Sequence, residues 1–279
     1  MLIRRNQASI DEVQRASFRD TPPEVMKSLY IAQNTYDLDL DQPLYRVLAE
    51  EFLFDDITQS RLTHTRISRK NWSDDLENPL LDVEFTDSAT GGTLTMNGVV
   101  EDMFGVCWTD DSSDSELAWN NFSHGRPSVR IMSTPRKLMA AAMNQENPFY
   151  MLHHFIGKVE YKDAETIRSS FSGQEGFEKH LDSLGQGVVT SLMQLRTAVS
   201  VEQEARLVYN YMRDEPWVQQ HVEIFEDFCR IPFDWNGVID EVVVGPLVSD
   251  GGKARLETKL RELNINCSII DSIHRSCVG

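Results

Sequence analysis

Val201-Glu202-Gln203-Glu204-Ala205-Arg206-Leu207-Val208 alternates in character along its length. At a two-residue period it is a strand, with Glu202, Glu204 and Arg206 on one face and Val201, Ala205 and Leu207 on the other. Two carboxylates and a guanidinium on one face form either a solvated surface, with ion pairs of under about 1 kcal/mol, or one wall of a site. Outward from this stretch, strand signals recur at Pro43 to Val47, Leu81 to Phe85, Met103 to Trp108, Val129 to Met132, Ile156 to Tyr161, Val238 to Val244 and Ile265 to Ile270. Helix signals fall between some of them, at Ser115 to Phe122, Thr134 to Met143, Phe177 to Leu184 and Gly252 to Leu263. With no internal repeat and no low-complexity linker, residues 44–279 are expected to form a single α+β domain. Residues 1–43 read as an N-terminal helical extension: Ser9 can cap, Asp11 and Glu12 suit a first turn, and Pro22-Pro23-Glu24 can restart a helix to Ala32.

The 279 residues carry a formal net charge of −17 and a sequence pI of about 4.8. Such a balance argues against non-specific nucleic-acid binding, which is driven by neutralising phosphates, although a local basic site stays possible. The charge is uneven. From Trp72 to Asn120 there are twelve acidic residues and no Lys or Arg, which leaves the rest of the chain at −5. Just before that segment, Arg61 to Lys70 is basic, with Arg61, Arg66, Arg69 and Lys70. No apolar run reaches the roughly 18 residues of a membrane span, and no apolar run follows Arg4-Arg5 as in a signal peptide. Cys107, Cys229, Cys267 and Cys277 lie far apart, with no short metal-ligand spacing. They read as idle thiols of a cytoplasmic protein, so the sequons at Asn71, Asn121 and Asn266 carry no meaning.

Seven short motifs follow one another in a set order. They are Leu44-Tyr45-Arg46; Asn71 to Asn78; Cys107-Trp108-Thr109 with Glu116 to Ser123; Val129-Arg130-Ile131; Glu202 to Leu207; Ile239 to Pro246; and Ser268 to Arg275. In this order they resemble the bacterial domain-of-unknown-function family 2971, over roughly Leu44 to Arg275. Members of that family usually show a bulky aromatic where this chain has Ala205. The family name records no activity, so function has to come from the site.

A looser resemblance is to ADP-ribosyltransferases of the arginine-serine-glutamate type, carried by Arg46, by Thr109 with Ser112, and by Glu202-Gln203-Glu204. It implies a mixed, mostly antiparallel sheet core with flanking helices, and NAD as substrate. Enzymes of this kind often act in bacterial conflict with phage or competitors. Cleaving the nicotinamide–ribose bond builds positive charge on the ribose, and Glu204 would stabilise it through a ribose hydroxyl. Glu202 would orient or deprotonate the acceptor, whether water, protein, nucleic acid or small molecule. Arg46 suits a pyrophosphate, with Arg130 or Arg206 as helpers. Thr109 or Ser112 would hold the base-side strand, and Tyr45, Trp108 or Trp119 could stack on nicotinamide.

The bland readings are equally specific. Arg46 suits an edge-strand surface charge, and Trp72, Trp108 and Trp119 suit a core. Asp75 and Glu77 suit a turn before Pro79. The whole chain could be a non-catalytic sensor or interaction module that offers its acidic segment to a basic partner. No metal site is expected: His153-His154, placed on a strand, would point to opposite sides, and Asp37, Asp39 and Asp41 lack the Gly and Glu of a calcium loop. Gly185-Gln186-Gly187 is no dinucleotide fingerprint, and there is no Walker loop or nucleophile elbow. The acidic segment is expected to border the cleft and to select against polyanionic acceptors through Asp110, Asp111 and Asp114.

Overall fold

A computed structural model describes residues 6–68, 70–72, 74, 76–87, 89–171, 180 and 185–275. Its strands are β1 (Thr35–Tyr36), β2 (Leu44–Ala49), β3 (Arg61–Arg66), β4 (Glu84–Thr86), β5 (Thr93–Thr95), β6 (Met103–Thr109), β7 (Ser128–Ser133) and β8 (His154–Lys158). They continue with β9 (Glu160–Lys162), β10 (Gln194–Arg196), β11 (Glu204–Asn210), β12 (Glu223–Ile224), β13 (Phe228–Pro232), β14 (Glu241–Val244) and β15 (Ser268–Asp271). The main sheet runs β1-β8-β11-β6-β2-β7-β14-β15, and a β12-β13-β3 branch joins it at β6. Within it, β1 with β8 and β14 with β15 are parallel, and the other pairs are antiparallel. The fold is therefore α+β on a mixed, mostly antiparallel sheet with flanking helices, as expected.

The feature that positions the site is a split in this sheet. β6 is paired along its full length to β11, from Glu204↔Thr109 to Asn210↔Met103. On its other edge it meets β2 only at Tyr45↔Thr109, and β3 only at Thr65↔Gly105 and Arg66↔Phe104. Val106, Cys107 and Trp108 lie between those contacts. One neighbour leaves β6 and another joins it, so the sheet opens there.

Two cores cover the faces. One gathers Leu44, Leu48, Val106, Trp108, Leu207 and Ile231 beneath the helices Glu50–Thr58, Pro135–Ala142 and Asp250–Glu262. The other gathers Tyr36, Ile67, Phe155, Met193 and Val208. The Glu50–Thr58 helix follows from its sequence: Glu50 and Glu51 complement the partial positive charge of its first turn, while Leu53, Phe54 and Ile57 face inward. Ser115, Thr134 and Ser249 cap the helices they precede, each side-chain oxygen accepting a backbone N–H of the first turn.

Several expected elements have different bounds. The strand expected over Val201 to Val208 begins at Glu204, because Thr197–Glu202 winds as a 3-10 helix and Gln203 takes a left-handed conformation at φ 43°. Ile156 to Tyr161 divides into β8 and β9, which belong to different sheets. Val238 to Ile239 and Ile265 to Cys267 precede their strands instead of opening them. The basic stretch Arg61 to Arg66 is β3, buried on alternate residues at Leu62 and His64. The helix expected at 177–184 lies outside the described residues, apart from His180.

Candidate functional site

Where β2 and β6 diverge, a cleft of about 780 Å³, counting the solvent at its open side, is lined by Tyr45, Arg46, Thr109, Arg130, Glu202 and Glu204 among others. Seven of the ten residues given a site role in the sequence, Trp108 among them, thus meet at one place. Register explains much of this: Tyr45 lies opposite Thr109, Thr109 opposite Glu204, and Val47 opposite Arg130, so β7, β2, β6 and β11 deliver neighbours to one wall.

Each residue has a defined environment. Thr109 Oγ1 donates to the carbonyls of Glu202 (2.9 Å) and Gln203 (3.2 Å) and accepts from the Asp111 amide (3.1 Å). Its hydroxyl ties the 3-10 turn that carries Glu202 to the end of β6. The Glu204 amide donates to Tyr161 Oη at 2.8 Å. Burial pushes the Tyr161 phenol up to about 12, so it stays a neutral hydroxyl. Burial, with Glu204 second, raises the proton affinity of Glu202. Arg130 lies 4.7 Å over the Tyr45 ring and donates to the carbonyls of Ser112 (3.3 Å) and Ser113.

Three buried donors on cleft-lining residues lack protein partners. Arg46 Nη1, Arg130 Nε and Trp108 Nε1 are buried with no hydrogen-bond acceptor among the described residues. Burial weakens the hold of Arg46 on its proton, and Asp56 opposes that effect. Buried N–H groups are ordinarily satisfied, and leaving one unpaired costs about 1–3 kcal/mol, so an acceptor within reach would be favoured at each of them.

Three expected residues do not line the cleft. Ser112 contributes its carbonyl to Arg130 and stands at the surface. Trp119 is buried, with Nε1 donating to Asp114 Oδ1 at 2.6 Å, so it belongs to the packing beneath the helix Glu116–Ser123. Arg206 is fully buried and is spent on protein partners: Glu204, Glu77 and the Leu192 carbonyl. Glu202 therefore lies off the strand, while Glu204 and Arg206, two residues apart in β11, share one of its faces. Glu202 reaches the cleft from the preceding turn, Glu204 from the first residue of β11, and Arg206 turns into the interior. Trp108 does line the cleft, in the Cys107-Trp108-Thr109 motif, which was the signal available for it. Asp111, named from the acidic segment, also lines it; Ser113 and Phe122 line it too and gave no signal beyond their neighbourhood.

A second, larger cleft opens on the other side of the split and shares Arg46, Val47, Cys107 and Phe122 with the first. Among the described residues no group of three or more His, Cys, Asp or Glu is arranged to hold a metal ion. His153 and His154 do not point to opposite sides: His153 precedes β8, and both rings pack on Tyr209, at 5.7 and 5.1 Å. No helix among the described residues is long and apolar enough to cross a membrane.

No protein-family model and no curated protein matches the chain. Solved structures similar to it include Thermus sp. 2.9 DarT in complex with NAD+, at 12% identity over 84% of this chain and 96% of that one, with a TM-score of 0.33. The same protein in complex with carba-NAD+ gives 12%, 85%, 97% and 0.34, and in complex with ADP-ribosylated ssDNA 11%, 85%, 96% and 0.35. A likeness at these scores bears on neither the cleft nor its chemistry.

Proposed function

We propose that the chain is an NAD-dependent ADP-ribosyltransferase or NAD glycohydrolase. The observation that supports this reading is the convergence of Arg46, Thr109, Glu202 and Glu204 on one cleft. The unpartnered Arg46 Nη1 is a ready partner for the pyrophosphate of the dinucleotide, and Trp108 Nε1 for a second acceptor atom of it. In the reaction the nicotinamide–ribose bond breaks and its electron pair leaves with nicotinamide, so positive charge builds at the ribose. Glu204 stabilises that charge where it develops, each carboxylate oxygen retaining a lone pair beyond the one engaged by Arg206. Glu202 takes the proton of the acceptor as its nucleophile bonds to the ribose carbon. With water as acceptor the product is free ADP-ribose.

The test is release of nicotinamide from NAD by the purified protein, repeated with Glu204→Gln. Turnover is expected to fall at least about 100-fold while NAD is still bound, the size of loss typical when one electrostatic stabiliser is removed. Unchanged turnover in Glu204→Gln overturns the reading. One observation favours the alternative of a non-catalytic interaction module: Glu204 is buried and paired to Arg206, as a structural carboxylate would be. That alternative requires NAD to be neither bound nor cleaved by the unmodified protein.

A further inference from the structure

Arg206 lines neither of the two clefts at the split, yet two of its hydrogen bonds hold Glu204. Nε donates to Glu204 Oε1 at 2.7 Å and Nη2 to Oε2 at 3.0 Å, so both oxygens are gripped by one planar fork. The guanidinium is itself fixed from behind. Nη2 also donates to Glu77 Oε2 at 2.7 Å, Nη1 donates to the Leu192 carbonyl at 2.7 Å, and the Trp72 ring lies 4.6 Å beneath. Groups near Glu204 among the described residues include the Cys107 thiol and Thr109 on β6, the Tyr161 hydroxyl on β9, Glu202 on the preceding turn and Glu77 beyond Arg206, none of them a cation.

We propose that Arg206, backed by Glu77 and Trp72, is the positioning residue that holds the Glu204 carboxylate against the cleft wall in the orientation turnover needs. This rests on the NAD-cleaving reading of the cleft. A free glutamate samples many rotamers, whereas one gripped at both oxygens presents its remaining lone pairs in a single direction. A misplacement of about 1 Å at such a group can cost about 100-fold in rate. The buried set brings two carboxylates to one guanidinium, and of the two it is Glu204 that lines the cleft, where the ribose becomes cationic. Lysine would keep the charge of Arg206 and lose the fork, so it is not a conservative replacement here.

The experiment uses the full chain with Arg206→Lys, Glu77→Ala and Glu77→Gln. Calorimetric titration with NAD counts the competent sites in each preparation, and nicotinamide release is then expressed per competent site. Arg206→Lys is expected to lose about 10- to 100-fold per site, with NAD affinity within about threefold of the parent. Glu77→Ala should lose about tenfold, and Glu77→Gln, which retains the acceptor oxygen, should recover most of that. If loss of activity only tracks loss of sites, or Arg206→Lys turns over normally per site, the proposal is overturned. A crystal structure of Arg206→Lys reads the position of Glu204 with no turnover at all: a displaced carboxylate supports the proposal and an unmoved one overturns it. Should the parent release no nicotinamide while Glu204 still moves in Arg206→Lys, the NAD reading alone falls.

Discussion

His64, His153 and His154 all pack their rings on Tyr209, at 6.0, 5.7 and 5.1 Å, and all three are buried. Burial lowers the proton affinity of each, His64 to about 3 from an ordinary value near 6.5. An unfolded chain therefore binds protons at these residues below pH 6.5 that the folded chain refuses. The stability they contribute is present in full above that value and is lost as pH falls toward 3. For His64 alone the loss between pH 7.5 and 5 is about 2 kcal/mol. Urea denaturation of the parent and of His64→Gln at the two pH values is expected to show a pH difference smaller by about 2 kcal/mol in the variant; an unchanged difference contradicts the assignment. Nothing in the sequence around His64 marked it as a core residue, because it lies inside a stretch that reads as a basic surface. Arg46, Thr109, Glu202 and Glu204 were legible, since their types and order carry a chemistry that packing does not require. The role of Arg206 was not, because a residue two positions from a carboxylate on the same face can either face the ligand with it or hold it from behind.

At the level of elements, β2, β6 and β7 and the helices Glu116–Ser123, Pro135–Ala142 and Asp250–Glu262 lie close to where periodicity and capping residues put them. The error at Val201 to Glu202 has a local cause. The left-handed turn at Gln203 interrupts an alternating pattern without interrupting the alternation of residue types, so the sequence looks continuous where the backbone is not. Glycines show how closely the elements approach one another. A Cβ on Gly245, just past β14, would lie 2.4 Å from the Ser128 carbonyl oxygen and 2.7 Å from the Trp119 ring. One on Gly157, in β8 opposite Arg206, would lie 2.3 Å from Met193 Sδ and 3.0 Å from Tyr36 Cβ. Both alanine variants are expected to lose about 1–3 kcal/mol of stability, as small-to-large changes in packed interiors do. Gly245→Ala should lose more, since a backbone carbonyl cannot turn aside and a methionine side chain can. Denaturant midpoints for the two variants give the order, and the reverse order contradicts this account of the packing.

Across the whole molecule the uneven charge is met in part by pairing among the described residues, at four of the twelve acids of the segment. Acids of the segment between Trp72 and Asn120 meet cations from elsewhere: Asp74 with Arg196, Glu77 with Arg206, Asp102 with Arg66 and Arg213, and Asp110 with Lys158. The basic stretch is answered in turn, with Arg61 beside Glu223 and Lys70 between Glu226 and Asp227. Part of the segment that reads as an acidic surface therefore works as internal stitching, and its three candidate selectivity residues separate by role. Asp114 accepts from Trp119 Nε1 at 2.6 Å and from the Ile273 amide at 2.7 Å, joining the helix Glu116–Ser123 to the turn after β15. Asp111 lines the cleft, and among the described residues its carboxylate accepts from its near neighbour Ser113, through the amide and the hydroxyl. Asp114→Asn is accordingly expected to lose about 1.5–3 kcal/mol of stability, the worth of hydrogen bonds to a charged group. It should leave the choice of acceptor unchanged. Asp111→Asn should fold with stability within about 0.5 kcal/mol of the parent, as surface changes away from such features do, and should accept polyanionic acceptors more readily. Thermal midpoints, together with competition between a polyanionic and a neutral acceptor during NAD turnover, separate the two outcomes. An Asp111→Asn protein with unaltered preference removes the acidic segment from substrate selection and leaves it the structural role its ion pairs already give it.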